Sequence, residues 1–551
     1  MCGIFFYNHY NNKISIDILK EIHLSIAKIA HRGPDNTQVI SENGKIFGFH
    51  RLSINGLNTL SNQPFDIKDC KLICNGEIYN FRELIKEFNL ESEYISSSDC
   101  EIIIHLYRKI GIIETLRRLD GVFAFVLYDY KNDTVIIGRD PFGVRSLFIG
   151  YNEVNNKISL TVGSEMKALL HCDSLFQFNG GSYGIYDIKN LRNEDILINM
   201  KPYYTYITNT NNYVYNTLSD NESNNENLIC LRIKQLFENA VKKRLMSERP
   251  VGCLLSGGLD SSVVTAIVKA NIPNGNLNTY SIGLKGSVDL LWARKVSEYL
   301  GTNHHEICLS ETEFLSAINE TIYQIESYCT TTVRASVGNY LVSKYINKVS
   351  NDVVIYCGDM SDEIFGSYRG FLKAPNDEDF KKENERMVRD VRFFDLLRSD
   401  KSISGAGLEA RVPFADKEFL AYIMSLPPKY KRFNDEYIEK YIFRKSFDGI
   451  LPNDILWRRK EAFSDGVSSH DRSWFQIIKE YIDLQVSDDE YSSNKNNFIH
   501  NPPYDKESYY YRKIFEQYYP GRSEVIPYYW RHPFCSDLDP SARLLNFYKK
   551  D

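Results

Sequence analysis

RPVGCLLSGGLDSSVVTAIVKA, residues 249–270, runs from an apolar β-type stretch (Val251 to Leu255) through a tight glycine turn into a helix expected to begin near Ser262. Gly257 and Gly258 let the backbone approach an anion, and the following helix N-terminus offers unpaired N–H groups and the positive end of a dipole. Ser256, Ser261 and Ser262 add hydroxyl donors. Asp260 is unusual in a phosphate cradle unless it holds a divalent metal that itself contacts phosphate. No G-K-[ST] follows, so the loop is not of the Walker type. A plain βα turn, with the glycines for geometry and Asp260 as a helix cap, is the other reading of these residues.

Working outward, NTYSIGL (278–284) and NDVVIYCGD (351–359) are further β-type runs that each follow helical sequence, and NLICLRIKQLFENAVKKRLM reads as an amphipathic helix. Strands alternating with helices predict a parallel sheet. A second acidic cluster, GDMSDEIFGSY (358–368), follows its own strand, and strand C-terminal ends are where open α/β sheets gather ligand groups. Asp362 and Glu363 are either solvated loop charges or, with Asp260, a magnesium site. A long helical tail is expected beyond, with polar insertions at 376–386 and 488–503.

The first ~185 residues have another texture. GKIFGFHRLSI, KLICNG, GVFAFVLYD and DTVIIGRD read as strands and IDILKEIHLSIAKIA as a helix, which suits an α+β domain with antiparallel strands. Residues 207–228, rich in Asn and Ser, read as a linker or mobile loop. At the start, MCGIFFYN places Cys2 behind a methionine that cells often remove. Removal would give one residue both a thiol and a free α-amine, whose ordinary pKa of about 7.7–8.0 suits a local base.

The 551 residues exceed one compact core, and two or three domains are expected. With 66 basic and 72 acidic residues the net charge is −6, which argues against nucleic-acid or membrane-surface binding. Eleven scattered cysteines with no C-x-x-C pair argue against a zinc ribbon or disulfide framework. No apolar run reaches membrane-spanning length and no secretory signal is apparent, so a cytoplasmic enzyme is the expectation.

Taken in order, MCGI, HRGPD (31–35), HRLSI (50–54), NGEIYN (75–80), SSDCE (97–101) and GRDPFGV (138–144) resemble a class II glutamine amidotransferase domain. SGGLDSS, RAS (334–336), SDEIFG (361–366), LEARVPF (408–414), WRRKEAFSDGV (457–467) and DPSAR (539–543) resemble the synthetase domain of the glutamine-hydrolysing asparagine synthetase family. SGGLDSS itself is similar to the pyrophosphate-binding loop of ATP-pyrophosphatases. The resemblance implies an N-terminal-nucleophile αββα sandwich over residues 2–185. It implies a connecting segment with a polar linker at 186–228, then a doubly wound parallel α/β domain of adenine nucleotide α-hydrolase type with a helical C-terminal region over 229–551.

By the same resemblance Cys2 attacks the glutamine amide, Asn75 and the Gly76 N–H form the oxyanion hole, and Arg51, Glu77 and Asp99 hold the glutamine's carboxylate and amine. Leu254, Ser256, Gly257, Gly258, Asp260, Ser261, Ile282, Cys357 and Gly358 fall at ATP-binding positions, and Thr332 and Arg334 near the aspartate. Asp260 and Asp362 would hold Mg2+, Asp359 would serve the aspartyl-adenylate step, and Lys460 would neutralise phosphate charge. The implied partners are the small molecules aspartate, glutamine and ATP, with a homodimer as the assembly. Residue by residue, simpler readings stay open: Asn75-Gly76 as a hairpin turn, Arg51 or Asp99 as surface ion pairs, Lys460 as an exposed helix-end lysine.

The chain departs from the family's pattern at four places. Asp359 stands for a Glu, Met360 for a Gly, Cys329 for an Asp and Ser146 for a Pro. These keep two alternatives in view: a synthetase-impaired homologue retaining glutaminase activity or nucleotide binding, or a related ligase that forms an amide on another acceptor.

Overall fold

The computed structural model describes all residues except 12, 206–218, 220, 221, 223, 273–274, 435–436 and 536–551. Most of the expected linker and the DPSAR motif lie outside the described residues. Asn225 caps the helix Glu226–Lys243 by accepting from the Leu228 amide, so the last residues of the expected linker are helical. The chain divides into two compact units, one comprising Met1–Tyr206, Met246–Arg249 and Ser404–Glu409, the other Ile207–Leu245, Pro250–Ile403 and Ala410–Asp551.

In the first unit, strands β1 (Gly3–Asn8), β2 (Asn36–Glu42), β3 (Lys45–Arg51), β4 (Phe65–Ile67), β5 (Cys70–Ile78), β6 (Gly121–Asp129), β7 (Thr134–Arg139), β8 (Phe148–Val154), β9 (Lys157–Gly163), β10 (Ser174–Gln177), β11 (Ser182–Asp187) and β12 (Lys201–Pro202) build two six-stranded sheets. Their orders are β10-β8-β9-β1-β3-β2 and β12-β11-β7-β6-β5-β4. The period-2 alternation of the strands is what makes a sandwich. Ala124 and Val126 of β6 join Ile73 and meet Ile4, Phe6, Phe47 and Phe49 of the facing sheet. Their neighbours Phe123, Phe125 and Leu127 point the other way, onto Ile102, Ile103 and Leu106 of the helix Ile102–Arg118. The helix Ile16–Ala27 covers the opposite outer face, where Gly48 is so close that a Cβ would lie 3.0 Å from Ile26 Cδ1. The result is the expected αββα order.

Asn75-Gly76 is no hairpin turn. Both residues lie inside β5, opposite Ala124 and Phe123 of β6.

The second unit carries a five-stranded sheet of order β15-β14-β13-β16-β17, from β13 (Val251–Leu254), β14 (Asn278–Leu284), β15 (Asn303–Leu309), β16 (Val354–Tyr356) and β17 (Glu409–Arg411). The ladders β13–β14, β13–β16 and β14–β15 are parallel, joined through the helices Leu259–Asn271, Val288–Leu300 and Thr330–Val349. The chain order on either side of β13 makes the sheet doubly wound. The helix after the glycine turn begins at Leu259, three residues earlier than expected, with Gly258 as its N-cap residue. The expected polar insertions are also ordered. Asp377–Asp390 is a helix whose start is capped by Asn376, and Ser487 caps Asp488–Asn494; with acidic first turns, both suit the positive end of a helix dipole.

Candidate functional sites

In the first unit Cys2 immediately precedes β1, with its Sγ 3.6 Å from the Leu52 carbonyl and its own carbonyl accepting from Arg32 Nε at 3.0 Å. With Met1 in place the α-amine belongs to Met1, not Cys2. That amine is buried, donates to Leu408 O at 3.1 Å, and has its pKa drawn down to about 5 by burial. Burial likewise pushes the Cys2 thiol up to about 11, against the pull of the neighbouring amino terminus; Glu409 and Glu77 raise it further. In this state Cys2 carries a neutral thiol.

Asn75 is fully buried, and neither its Oδ1 nor its Nδ2 has a hydrogen-bond partner among the described residues. Unpaired buried polar groups are costly and rare, so an amide left open in this way has the character of a donor awaiting a ligand. Gly76 beside it admits no side chain, since a Cβ would meet Val122 O at 2.3 Å. Glu77 accepts from Asn55 Nδ2, and Asp99 accepts from the Ile78 amide at 2.6 Å, so both carboxylates sit at the end of β5. Arg51 is buried and spends its donors on the 55–62 loop, at Asn62 Oδ1 (2.6 Å), Asn58 O (3.1 Å), Asn55 O and Gly56 O. Burial lowers its pKa, and the Cys2 thiol is the largest influence opposing that shift. The structure thus brings Cys2, Arg51, Asn75, Gly76, Glu77 and Asp99 into one neighbourhood, where Arg51 clamps the loop above it.

The second unit has a cavity at the C-terminal ends of β13, β14 and β16. It is lined by Leu254, Ser256, Gly258, Asp260 and Ser261 from the first turn, Ile282 from the second, and Cys357, Gly358, Asp359, Met360 and Asp362 from the third. Gly257 has φ +71°, and a Cβ there would strike Ala293 N and Trp292 C at 2.4 Å, so only glycine closes this turn. The serines brace the loop. Ser256 Oγ and Ser261 Oγ lie 3.1 Å apart, and the Gly258 amide donates to Ser256 Oγ at 3.3 Å. Gly358 packs on the helix start, a Cβ there lying 2.9 Å from Ser261 N.

Asp260 Oδ1 accepts from Ser361 Oγ (2.8 Å), and Asp260 Oδ2 from Lys440 Nζ (2.6 Å). Asp362 Oδ1 accepts from Lys440 Nζ (2.7 Å) and Ser367 Oγ (2.5 Å), and its Oδ2 is paired with Lys460. Burial alone would raise the Asp362 carboxyl, but Lys440 and Lys460 together hold it well below the usual carboxylate range. Lys460 is correspondingly raised and is no exposed helix-end lysine. Two adjacent carboxylates are hard oxygen donors of the type Mg2+ takes, and two carboxylates plus substrate phosphates is its common arrangement. Among the described residues no group of three or more His, Cys, Asp or Glu is set to hold a metal. The pair offers two of the oxygens such a metal would need, and phosphate and water would supply the others.

Asp359 lines the same cavity, yet both its oxygens are taken, by Arg398 Nη2 at 2.7 Å and by Ser399 Oγ. Met360 is buried in a left-handed backbone conformation, φ +74°.

Thr332 and Arg334 are not brought to the cavity. The face of the helix Thr330–Val349 that lines it is Thr331, Ala335, Asn339 and Val342, and Thr332 is turned about 100° away. Arg334 forms a bidentate buried pair with Glu507 (2.8 and 2.6 Å). Cys329 accepts from the Trp530 amide at 3.2 Å. Sequence reasoning missed Lys440, Arg398, Ser399 and Tyr368. Tyr368 closes the GDMSDEIFGSY stretch without being singled out in it, whereas Lys440, Arg398 and Ser399 belong to no motif and reach the site only through the fold.

All eleven cysteines are free. No described helix is long and apolar enough to cross a membrane.

Comparison with known proteins agrees with this division. A glutamine amidotransferase domain model matches residues 1–191, and an asparagine synthase model matches 232–392 and 373–536. The glutamine-hydrolyzing asparagine synthetase of Gallus gallus is 42% identical over 569 residues, covering 100% of this chain and 99% of that protein. Those of Mus musculus (42% over 575 residues) and Homo sapiens (41% over 570 residues) are covered to the same extent.

Proposed function

Because the chain belongs to the family of glutamine-hydrolysing asparagine synthetases, we propose that it makes L-asparagine from L-aspartate, ATP and glutamine, releasing AMP, pyrophosphate and glutamate. The observation that carries the reading is full-length identity of 42% combined with an open, buried Asn75 amide in one unit and a phosphate-type turn facing an acidic pair in the other.

Glutaminase chemistry is assigned to residues 2–185 and synthetase chemistry to 229–551, joined by 186–228. Removal of Met1 frees the Cys2 amine as the base for its own thiol. The thiolate adds to the glutamine side-chain carbonyl, Asn75 Nδ2 and the Gly76 N–H hold the oxyanion, ammonia leaves, and water releases glutamate from the thioester. Glu77 and Asp99 orient the glutamine by its α-amine, and Arg51 acts on its α-carboxylate through its charge and through the 55–62 loop that its guanidinium holds.

In the second unit Leu254, Ile282, Cys357 and Gly358 bound the nucleoside end of ATP, while Ser256, Gly257, Gly258, Ser261 and the N-terminus of Leu259–Asn271 take the phosphates. The aspartate β-carboxylate attacks the α-phosphorus, pyrophosphate leaves against Lys460, and ammonia displaces AMP from the β-aspartyl adenylate. Asp260 and Asp362 would hold Mg2+, which would neutralise polyphosphate charge. Thr332 and Arg334 are kept for the aspartate end on family resemblance alone, since both lie off the cavity and Arg334 is paired with Glu507; Asp359, fixed by Arg398, serves the adenylate. A homodimer and a cytoplasmic setting complete the reading.

The test is incubation with aspartate, ATP, Mg2+ and either glutamine or ammonium, measuring pyrophosphate and asparagine. Cys2→Ala is expected to abolish glutamine-dependent synthesis and retain the ammonia-dependent rate. Glutamate release with no pyrophosphate from either nitrogen source would leave a glutaminase without a synthetase.

A further inference from the structure

Lys440 is buried and adopts a left-handed backbone conformation, φ +58° and ψ +27°, that non-glycine residues seldom take. This geometry delivers its ammonium between Asp260 Oδ2 at 2.6 Å and Asp362 Oδ1 at 2.7 Å. The other two oxygens of the pair are taken by Ser361 Oγ and Lys460 Nζ. An ammonium is a compact point charge with three donors, and it lies on the inner oxygens that face each other. Mg2+ needs its oxygens at about 2.0–2.1 Å in near-octahedral geometry. The lysine and the metal cannot hold the same two oxygens at once.

We infer that Lys440 is the resident counter-cation of the Asp260–Asp362 pair: it occupies the metal's place in the nucleotide-free enzyme, excludes a free divalent ion, and yields only when the metal arrives on ATP, whose polyphosphate then receives the displaced ammonium. This rests on the reading of Asp260 and Asp362 as the divalent-cation ligands. Its consequence is an order of binding in which the metal–nucleotide complex is the ligand and the free metal is not. It also explains how a half-buried acidic pair stays compact between turnovers, since unneutralised carboxylates at this spacing repel.

The experiment measures Mn2+ binding to the full-length protein by electron paramagnetic resonance of the free ion. Without nucleotide, wild type is expected to bind weakly, Lys440→Gln at least tenfold more tightly, and Lys440→Arg, which keeps the charge, as wild type does. Adding Asp260→Asn to Lys440→Gln should cancel the gain. An Mn2+ affinity unchanged by Lys440→Gln overturns the inference. The metal reading is judged separately, with ATP present: if Asp260→Asn leaves Mn2+ binding unaltered there, these carboxylates are not the ligands. Should Lys440→Gln fail to fold, the charge-balanced Lys440→Gln/Asp260→Asn protein is expected to fold, because neutralisation is the lysine's task. If neither folds, Lys440 is a packing element and the inference falls.

Discussion

Replacing Asn75 by alanine sets activity against stability in opposite directions. Loss of one oxyanion donor costs about 10²–10³ in rate, or ~2.7–4 kcal/mol of transition-state stabilisation. The same side chain is fully buried with both amide atoms unpaired, and a buried polar group left unsatisfied costs about 1–3 kcal/mol. Truncation removes that penalty and opens a small cavity costing about 1 kcal/mol. The balance is about 0–2 kcal/mol in the variant's favour, so its Tm is expected to be unchanged or up to about 8 °C higher, on the scale of ~2–4 °C per kcal/mol for large domains. Glutamate release from glutamine reads the first effect, calorimetry the second, and ammonia-dependent pyrophosphate release serves as the internal control. A glutaminase loss under tenfold would refute the donor role. A large fall in Tm, with both activities declining together, would show that Asn75 is a structural residue.

Met360→Gly relieves a left-handed non-glycine backbone worth about 1–2 kcal/mol but gives up a buried methionine side chain, whose truncation costs about 2–5 kcal/mol. The variant is expected to be less stable by thermal or urea unfolding, and equal or greater stability would show that strain outweighs packing. Asp359→Glu forces a methylene between the backbone and the grip of Arg398 and Ser399. Since a displacement of about 1 Å can cost ~10²-fold, a comparable fall in ammonia-dependent pyrophosphate release is expected; an undiminished rate would mean the cavity has room. Lys431 is buried and donates to Asn384 Oδ1 (2.6 Å), and burial lowers its pKa to about 7. Its unfolded value is near 10.4, so the unfolded chain binds more protons between these values and stability rises with pH across that window. The Tm of Lys431→Met minus that of wild type should therefore be more positive at pH 6.5 than at pH 9, and a difference independent of pH would refute the buried charge.

What could be read without the fold was whatever chemistry is local in the chain. The glycine turn needs Gly257 at φ +71° and a helix directly after it, and both requirements are written within seven residues. The period-2 alternation of β5 and β6 sorts Ile73 and Val126 to one core and Phe123 and Phe125 to the other; spacing marked these runs as antiparallel strands, while the αββα layering was implied only by the family resemblance. Helix phase was not legible: RAS marks Arg334 as a family position, but only the docking of Thr330–Val349 turned Thr331 and Asn339 to the cavity and gave Arg334 to Glu507, 173 residues away. Lys440 lies 180 residues from Asp260 and carries no motif. Its position between the two carboxylates is a balance of burial and charge, which arises only when distant segments are desolvated together. Tertiary structure likewise decided the state of Cys2, since the burial that raises its thiol and the Leu408 carbonyl that takes the Met1 amine come from residues far along the chain.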